Sequence, residues 1–175
     1  MSTECVIRIL KAREERALRH KTLREIYPGT LLALTMNIPG HNKNTPIAQK
    51  AFNMGLESVR KLFSSRRVNI LKHESRVTED GPQACWIVDT PTSSLKKWVM
   101  EIEEIHPLGR LFDLDVQDTD GRTIHRESIG FETRRCLICE EAAHACARSR
   151  KHDLKELTQA VERLVNKYME ETDYA

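Results

Sequence analysis

Val68-Asn-Ile-Leu-Lys72 and Ala84-Cys-Trp-Ile-Val-Asp89 stand on either side of the polar turn Asp80-Gly81-Pro82. Apolar residues alternate in the first run, and the two read as strands of a hairpin. Strands joined this way pair antiparallel. Working outward, residues 46–63 read as a helix. Thr45 can cap its first N–H groups, Pro46 suits its first position, and Ala48, Ala51, Phe52, Leu56, Val59, Leu62 and Phe63 repeat on one face. On the other side, Thr92 or Ser93 caps a helix with the stripe Leu95, Trp98, Val99, Ile102 and Ile105, stopped by Pro107. Helices and hairpins therefore mix without the strict alternation of a doubly wound sheet. The expected class is α+β, a mixed, largely antiparallel sheet with packed helices.

The remaining elements fit that frame. Residues 6–26 read as a first helix with Ile7, Leu10, Ala17 and Leu18 near one face, and Leu31-Leu-Ala-Leu-Thr-Met36 as a buried strand. Residues 37–46 form a loop by composition. Residues 111–116 read as a strand, which Asp118-Thr-Asp-Gly121 turns back into a second strand at 122–125. A short helix at 142–147 precedes a last one marked by Leu154, Leu157, Val161, Leu164, Val165 and Tyr168.

The chain has 175 residues, 28 Lys+Arg against 26 Asp+Glu, and a formal charge of +2. A chain this long can bury roughly 70% of its unfolded surface, so one domain spanning 1–175 needs no disulfide framework. The balanced charge argues against a broad nucleic-acid surface. No apolar run approaches the ~20 residues of a membrane span, and Met1 to Leu10 lacks the pattern of a signal peptide. These features imply a cytoplasmic protein without membrane or nucleic-acid partners. Five cysteines, three of them at Cys136, Cys139 and Cys146, fit reduced thiols or a metal site.

The chemistry concentrates in His106-Pro-Leu-Gly-Arg-Leu-Phe-Asp-Leu-Asp-Val116. Residues two apart on a strand share a face, so Asp113 and Asp115 present two carboxylates together while Leu114 and Val116 face the core. Paired oxygen ligands on a rigid element suit Mg²⁺, which completes its shell with water and phosphate oxygens. The bland alternative is a polar strand face leading into an acidic turn. Gly109 allows close backbone approach, and Arg110 offers a fork of donors for phosphate.

Gly109-Arg-Leu-Phe-Asp-Leu-Asp-Val116 resembles the signature of the citrate lyase holo-acyl-carrier-protein synthases, the CitX family of apo-citrate lyase phosphoribosyl-dephospho-CoA transferases. Met36-Asn-Ile-Pro-Gly40 with Lys43 and Pro46 is similar to an early block of that family. Arg134-Arg-Cys-Leu-Ile-Cys139, followed by Cys146-Ala-Arg-Ser-Arg150 and His152, is similar to a late one. The resemblance covers roughly residues 26–168. It implies transfer of phosphoribosyl-dephospho-CoA from triphosphoribosyl-dephospho-CoA to a serine of the citrate lyase acyl-carrier (gamma) subunit, releasing diphosphate. It also implies kinship with nucleotidyltransferases, so a divergent nucleotidyltransferase-like fold is expected. The chain departs from their pattern in placing Gly109-Arg110 only two residues before Asp113.

In that reaction Asp113 and Asp115 hold Mg²⁺, and Arg110 contacts the phosphates. Lys43 lies in a loop entering a helix N-terminus, a place that attracts anions, with Asn37, Pro39 and Gly40 shaping the pocket or simply turning the chain. His106 is a candidate general base, or a histidine at a helix C-terminus responding to its dipole; Asp115 could accept the same proton. Arg122 and His125 would face the aspartates if the hairpin register allows, and Asp89 is a candidate third carboxylate. Cys136, Cys139 and Cys146 with His152 or His144 could bind structural zinc or pack as thiols. Arg134, Arg135, Arg148, Arg150 and Lys151 are a solvated surface or a contact for phosphates or an acidic carrier. Two further readings stay open: another Mg²⁺-dependent nucleotidyltransferase, and a non-catalytic zinc-containing interaction module.

Overall fold

The computed structural model describes residues 3–173. Its frame is one four-stranded antiparallel sheet in the order β2-β3-β1-β4, made by β1 (Thr30–Met36), β2 (Ile70–Thr78), β3 (Gly81–Val88) and β4 (Phe112–Gln117). The chain is α+β. The helices are α1 (Thr3–Ile26), α2 (Pro46–Arg66), α3 (Thr92–Ile105), α4 (Ala143–Ser149) and α5 (Leu154–Asp173). Among the described residues, no helix is long and apolar enough to cross a membrane.

The sheet has two unequal faces. Leu32, Leu34, Ala84, Trp86, Val88, Phe112, Leu114 and Val116 project onto one side, where α2, α3 and α5 bury the main core. The other side carries Leu31, Ala33, Cys85 and Ile87, covered by α1 through Leu23. α2 forms as its sequence dictates: the Thr45 hydroxyl accepts from the Ala48 N–H at 3.2 Å, and Pro46 occupies the first turn. It runs past Phe63 to Arg66 before Arg67 turns left-handed (φ 53°).

The hairpin is longer than its apolar residues suggest. His73 to Arg76 have no strand pattern of their own, yet they pair with β3, and His73 stacks on Trp86 at 4.9 Å. Tertiary pairing overrides weak local preference here.

Four local expectations are corrected. α1 turns Ala12, His20 and Leu23 inward, while Ile7 (58% exposed), Leu10 (50%) and Leu18 (66%) face outward, as does Ala17. Its face is set by Arg13 and Arg16 on Asp80, Arg19 on Glu74 and Arg24 on Gln117. Neither Thr92 nor Ser93 caps α3: the helix starts at Thr92 behind Pro91, and the Thr92 hydroxyl lies 3.0 Å from that of Thr30. Ile105 is exposed, and the buried stripe of α3 includes Lys96 and Glu103.

The fourth correction concerns residues 122–125, which form no strand beyond a single bridge between Gln117 and Thr123. Ile124 N–H reaches the Val116 carbonyl at 2.9 Å, but pairing stops there because the next outward-facing groups, on Leu114, are already taken. Its N–H donates to Glu103 Oε1 at 2.8 Å, and its carbonyl accepts from Lys96 Nζ at 3.1 Å. Two side chains of α3 thus close the sheet edge in place of a fifth strand.

Candidate functional site

β4 alternates inward and outward along its length, which puts Leu114 and Val116 in the core and Asp113 and Asp115 on the opposite face. Antiparallel register sets Thr35 beside Asp113 and Ala33 beside Asp115. The Thr35 hydroxyl donates to Asp113 Oδ2 at 3.3 Å, and Arg134 Nη1 donates to Asp113 Oδ1 at 3.0 Å. Arg134 Nη2 donates to Glu103, the carboxylate that also receives the Leu114 N–H. Arg134 therefore ties β4 to the end of α3.

The charges here are mutually dependent. Desolvation, followed by the neighbouring Asp113 carboxylate, pushes the Asp115 carboxyl above the ordinary range, although the residue keeps much of its surface exposed. Burial opposes the charge on Arg134, but Glu103 and Asp113 outweigh it and raise its pKa. Burial likewise depresses the Lys96 ammonium, with Glu103 and Asp115 working in the other direction. Lys96 and Glu103 were not singled out from sequence. The available signal was two opposite charges seven residues apart, two helical turns, on a buried stripe.

A cavity of about 690 Å³ opens beside this group. Asn37, Gly40, Lys43, Arg110, Arg134 and Arg150 all contribute to its wall, so the structure brings the early loop, the 3-10 turn at Gly109–Leu111 and the late basic segment to one space. The loop is held by the Asn37 N–H, which donates to the Leu111 carbonyl at 2.8 Å, and by Lys43 Nζ, which donates to the Ile38 carbonyl. Burial lowers the pKa of Lys43 and of Arg110, and the Arg134 charge depresses Arg110 further. A half-dehydrated cationic wall of this kind favours an anionic guest.

Other expected residues lie elsewhere. Gly109 serves packing: a Cβ there would lie 2.3 Å from the Glu103 carbonyl and 2.7 Å from that of Ile102. His106 sits on the core side of β4, its ring 5.0 Å from Phe112 and 5.1 Å from Tyr168, away from the aspartates. Its Nδ1 accepts the Leu108 N–H at 2.9 Å, and burial lowers its pKa, which favours the neutral ring. Arg122 is exposed and pairs with Asp120 at 3.8 Å, and His125 is also exposed; neither meets the carboxylates. Asp89 follows Val88, which pairs with Thr30 at the end of β1 remote from Thr35 and Asp113.

The late segment builds a second group. Cys136, Cys139, Cys146 and His152 present ligand atoms that all lie within 4.8 Å of one another, a Cys/His set able to hold a metal ion; His144 is exposed and does not belong to it. The loop carrying the first two is pinched by Cys136 N–H to the Glu141 carbonyl and Ala143 N–H to that of Arg134, each 2.7 Å. The Ile138 N–H points at Cys136 Sγ at 3.5 Å; burial raises the Cys136 pKa, but the Ile138 and Cys139 amides and the Cys146 and Cys139 thiols together lower it to about 7. Two thiols of the set, Cys136 and Cys146, and the imidazole of His152 line the 690 Å³ cavity.

The α+β sheet thus bears two carboxylates on one strand beside an arginine-lined cavity. Residues 5–168 match the family model CitX, apo-citrate lyase phosphoribosyl-dephospho-CoA transferase. Proteins named apo-citrate lyase phosphoribosyl-dephospho-CoA transferase from Shigella boydii serotype 18, Escherichia coli strain SE11 and Shigella sonnei are each 33% identical over 158 residues, covering 90% of this chain and 86% of the relative. The chain belongs to the CitX family of transferases.

Proposed function

We propose that the chain is a single transferase domain that moves phosphoribosyl-dephospho-CoA from triphosphoribosyl-dephospho-CoA to a serine of the citrate lyase acyl-carrier (gamma) subunit, in the cytoplasm, and releases diphosphate. One observation carries this reading: Arg134 reaches from the wall of a cationic cavity to the paired carboxylates of β4. The family name supplies the identity of the transferred group.

The serine Oγ forms a bond to the phosphorus attached to the ribose, and the bond from that phosphorus to the diphosphate oxygen breaks with its electron pair. Such transfers depend chiefly on positioning and charge neutralisation. Arg110 and Arg134 hold phosphate oxygens, and Lys43 with the backbone near Gly40 and Asn37 closes the far side of the pocket. Asp115, with its elevated pKa, takes the hydroxyl proton. Asp113 and Asp115 suit a hard divalent cation: they share a face, and their mutual repulsion is only partly relieved by Arg134. Asp113 and Asp115 would hold Mg²⁺, which would supply charge neutralisation for the phosphate chain and the leaving diphosphate. We assign His106 to ordering the junction of α3 and β4, and the Cys136, Cys139, Cys146 and His152 group to a structural zinc ion.

The test is incubation with apo carrier subunit, triphosphoribosyl-dephospho-CoA and Mg²⁺, followed by intact-mass measurement of the carrier. A mass gain equal to the donor less diphosphate supports the reading. No gain across varied metal conditions rejects it, and labelling from ATP instead would assign an ordinary nucleotidyltransferase.

A further inference from the structure

Residues 118–142 join β4 to α4 with little structure of their own. They contain one short 3-10 helix (Arg126–Ile129), reach β4 through the isolated bridge between Gln117 and Thr123 and reach α3 through Arg126 on Glu104; a second bridge, between Arg135 and Ala142, is internal. Cys136 is the one buried residue among them. In a connection this long Leu137 is the apolar side chain packed against the main core, and such loops are characteristically functional. Its end carries Arg134, the residue that bridges Glu103 and Asp113, and Arg135, which lines the same cavity.

Besides Leu137 and the backbone bonds that pinch the segment, the end of this loop carries a group two residues further on. Cys136 and Cys139 come from the loop, Cys146 from α4 and His152 from the turn before α5. One ion bound to all four would tie three chain segments at a point adjoining the cavity. A second feature also points to an ion: His152 Nε2 is buried without a hydrogen-bond partner, while Nδ1 faces Glu156 at 3.9 Å. A buried imidazole nitrogen left unpaired is costly unless it binds something. A carboxylate behind the other nitrogen is the usual support of a zinc-bound histidine. Three thiols and one imidazole match tetrahedral Zn²⁺ with no position left open for substrate.

We infer that the zinc centre is the device that sets the phosphate clamp: bound metal holds the loop so that Arg134 stays on Asp113 and Glu103, and loss of metal frees Arg134 and opens the cavity wall without unfolding the sheet. Cys136, Cys139, Cys146 and His152 are thus positioning residues for substrate binding. This rests on the zinc assignment above, but not on the identity of the carrier.

The experiment uses the full chain with inorganic tripolyphosphate as probe, in Mg²⁺, measured by calorimetry. Metal content is read by elemental mass spectrometry, and Co²⁺ substitution reports tetrahedral thiolate ligation by absorption. Expected are one zinc per chain and a tripolyphosphate affinity that falls roughly 10- to 100-fold on chelation, the worth of losing a charge-assisted contact. Affinity should return with Zn²⁺ or Cd²⁺ while the far-ultraviolet circular dichroism stays constant. Arg134→Gln should show the same loss with zinc retained, and chelation should weaken that variant no further. Zinc bound but removable with less than about a twofold change in affinity would overturn the coupling and leave the zinc assignment standing. Absence of any bound metal, with no uptake at micromolar Zn²⁺, would overturn both, while carrier labelling would still report separately on the transferase reading. Because chelation acts on the native chain, a Cys139→Ser variant that failed to fold would not affect the outcome.

Discussion

Asp115 shares an open strand face with Asp113, and desolvation together with that neighbour raises its pKa above the unfolded value. A carboxyl shifted this way stabilises the fold below its unfolded pKa, and that contribution is lost as pH rises through the folded pKa. Ionising Asp115 therefore works against the preference of the fold. Strain of this sort is characteristic of residues placed for chemistry. Asp115→Asn should raise Tm slightly at neutral pH while lowering carrier labelling by on the order of 100-fold or more. Thermal melts and labelling rates on the same preparations check both; a variant that was less stable, or that labelled at the normal rate, would remove Asp115 from the role of base and metal ligand. Asp113→Asn differs because Arg134 would lose one of its two carboxylate partners and keep only Glu103, so that variant should gain no stability.

At the scale of elements, the site depends on how closely the turn before β4 packs on α3. Gly109 passes over the C-terminal carbonyls of that helix, where a Cβ would meet two backbone oxygens that cannot yield. Gly109→Ala should cost about 1–3 kcal/mol, the usual penalty for overpacking, and should displace Arg110 from the cavity. A lower Tm together with weaker tripolyphosphate binding checks this; a change in neither would show that the turn can shift freely. The same junction shows what sequence could disclose. The carboxylate pair, the hairpin and α2 were legible because each follows from a local rule: period two on a strand, a turn between apolar runs, or a Thr-Pro cap before a helical stripe. The roles of Lys96 and Glu103 were not, because they follow from β4 lying at a sheet edge with backbone groups to satisfy. Arg134 read as one of several basic residues, since its contact with Asp113 spans chain segments that no local pattern relates. The Cys136-x2-Cys139 spacing with Cys146 and His152 indicated a metal set, and the fold brings those four together while leaving His144 outside.

For the molecule as a whole, the two faces of the sheet differ in how they are held. One is sealed by three helices over an apolar core, whereas the other is covered by α1, which contributes Ala12, His20 and Leu23 as buried residues and otherwise leans on arginines. Arg19 lowers the Glu74 pKa by hydrogen bonding and charge. Burial, with Arg16 and Arg24 nearby, lowers His20 to about 4. Both shifts point the same way. A group whose folded pKa lies below its unfolded value stabilises above the unfolded pKa, and that stability is lost as pH falls towards the folded one. For His20 the window runs from the ordinary 6.5 down to about 4, and Glu74 adds a further loss below its ordinary 4.5. Acid should therefore loosen the α1 layer before the main core titrates, with His20 accounting for up to roughly 3 kcal/mol of lost stability. Urea unfolding measured between pH 7 and pH 4 should show this decline, and His20→Gln should flatten it while leaving Asp113 and Asp115 untouched. An equally steep decline in the variant would place the acid sensitivity elsewhere. Salt should weaken the Arg13 and Arg19 pairs, which are partly exposed, more than it affects the buried imidazole. The high-salt profile should accordingly keep its His20 component and lose much of the remainder.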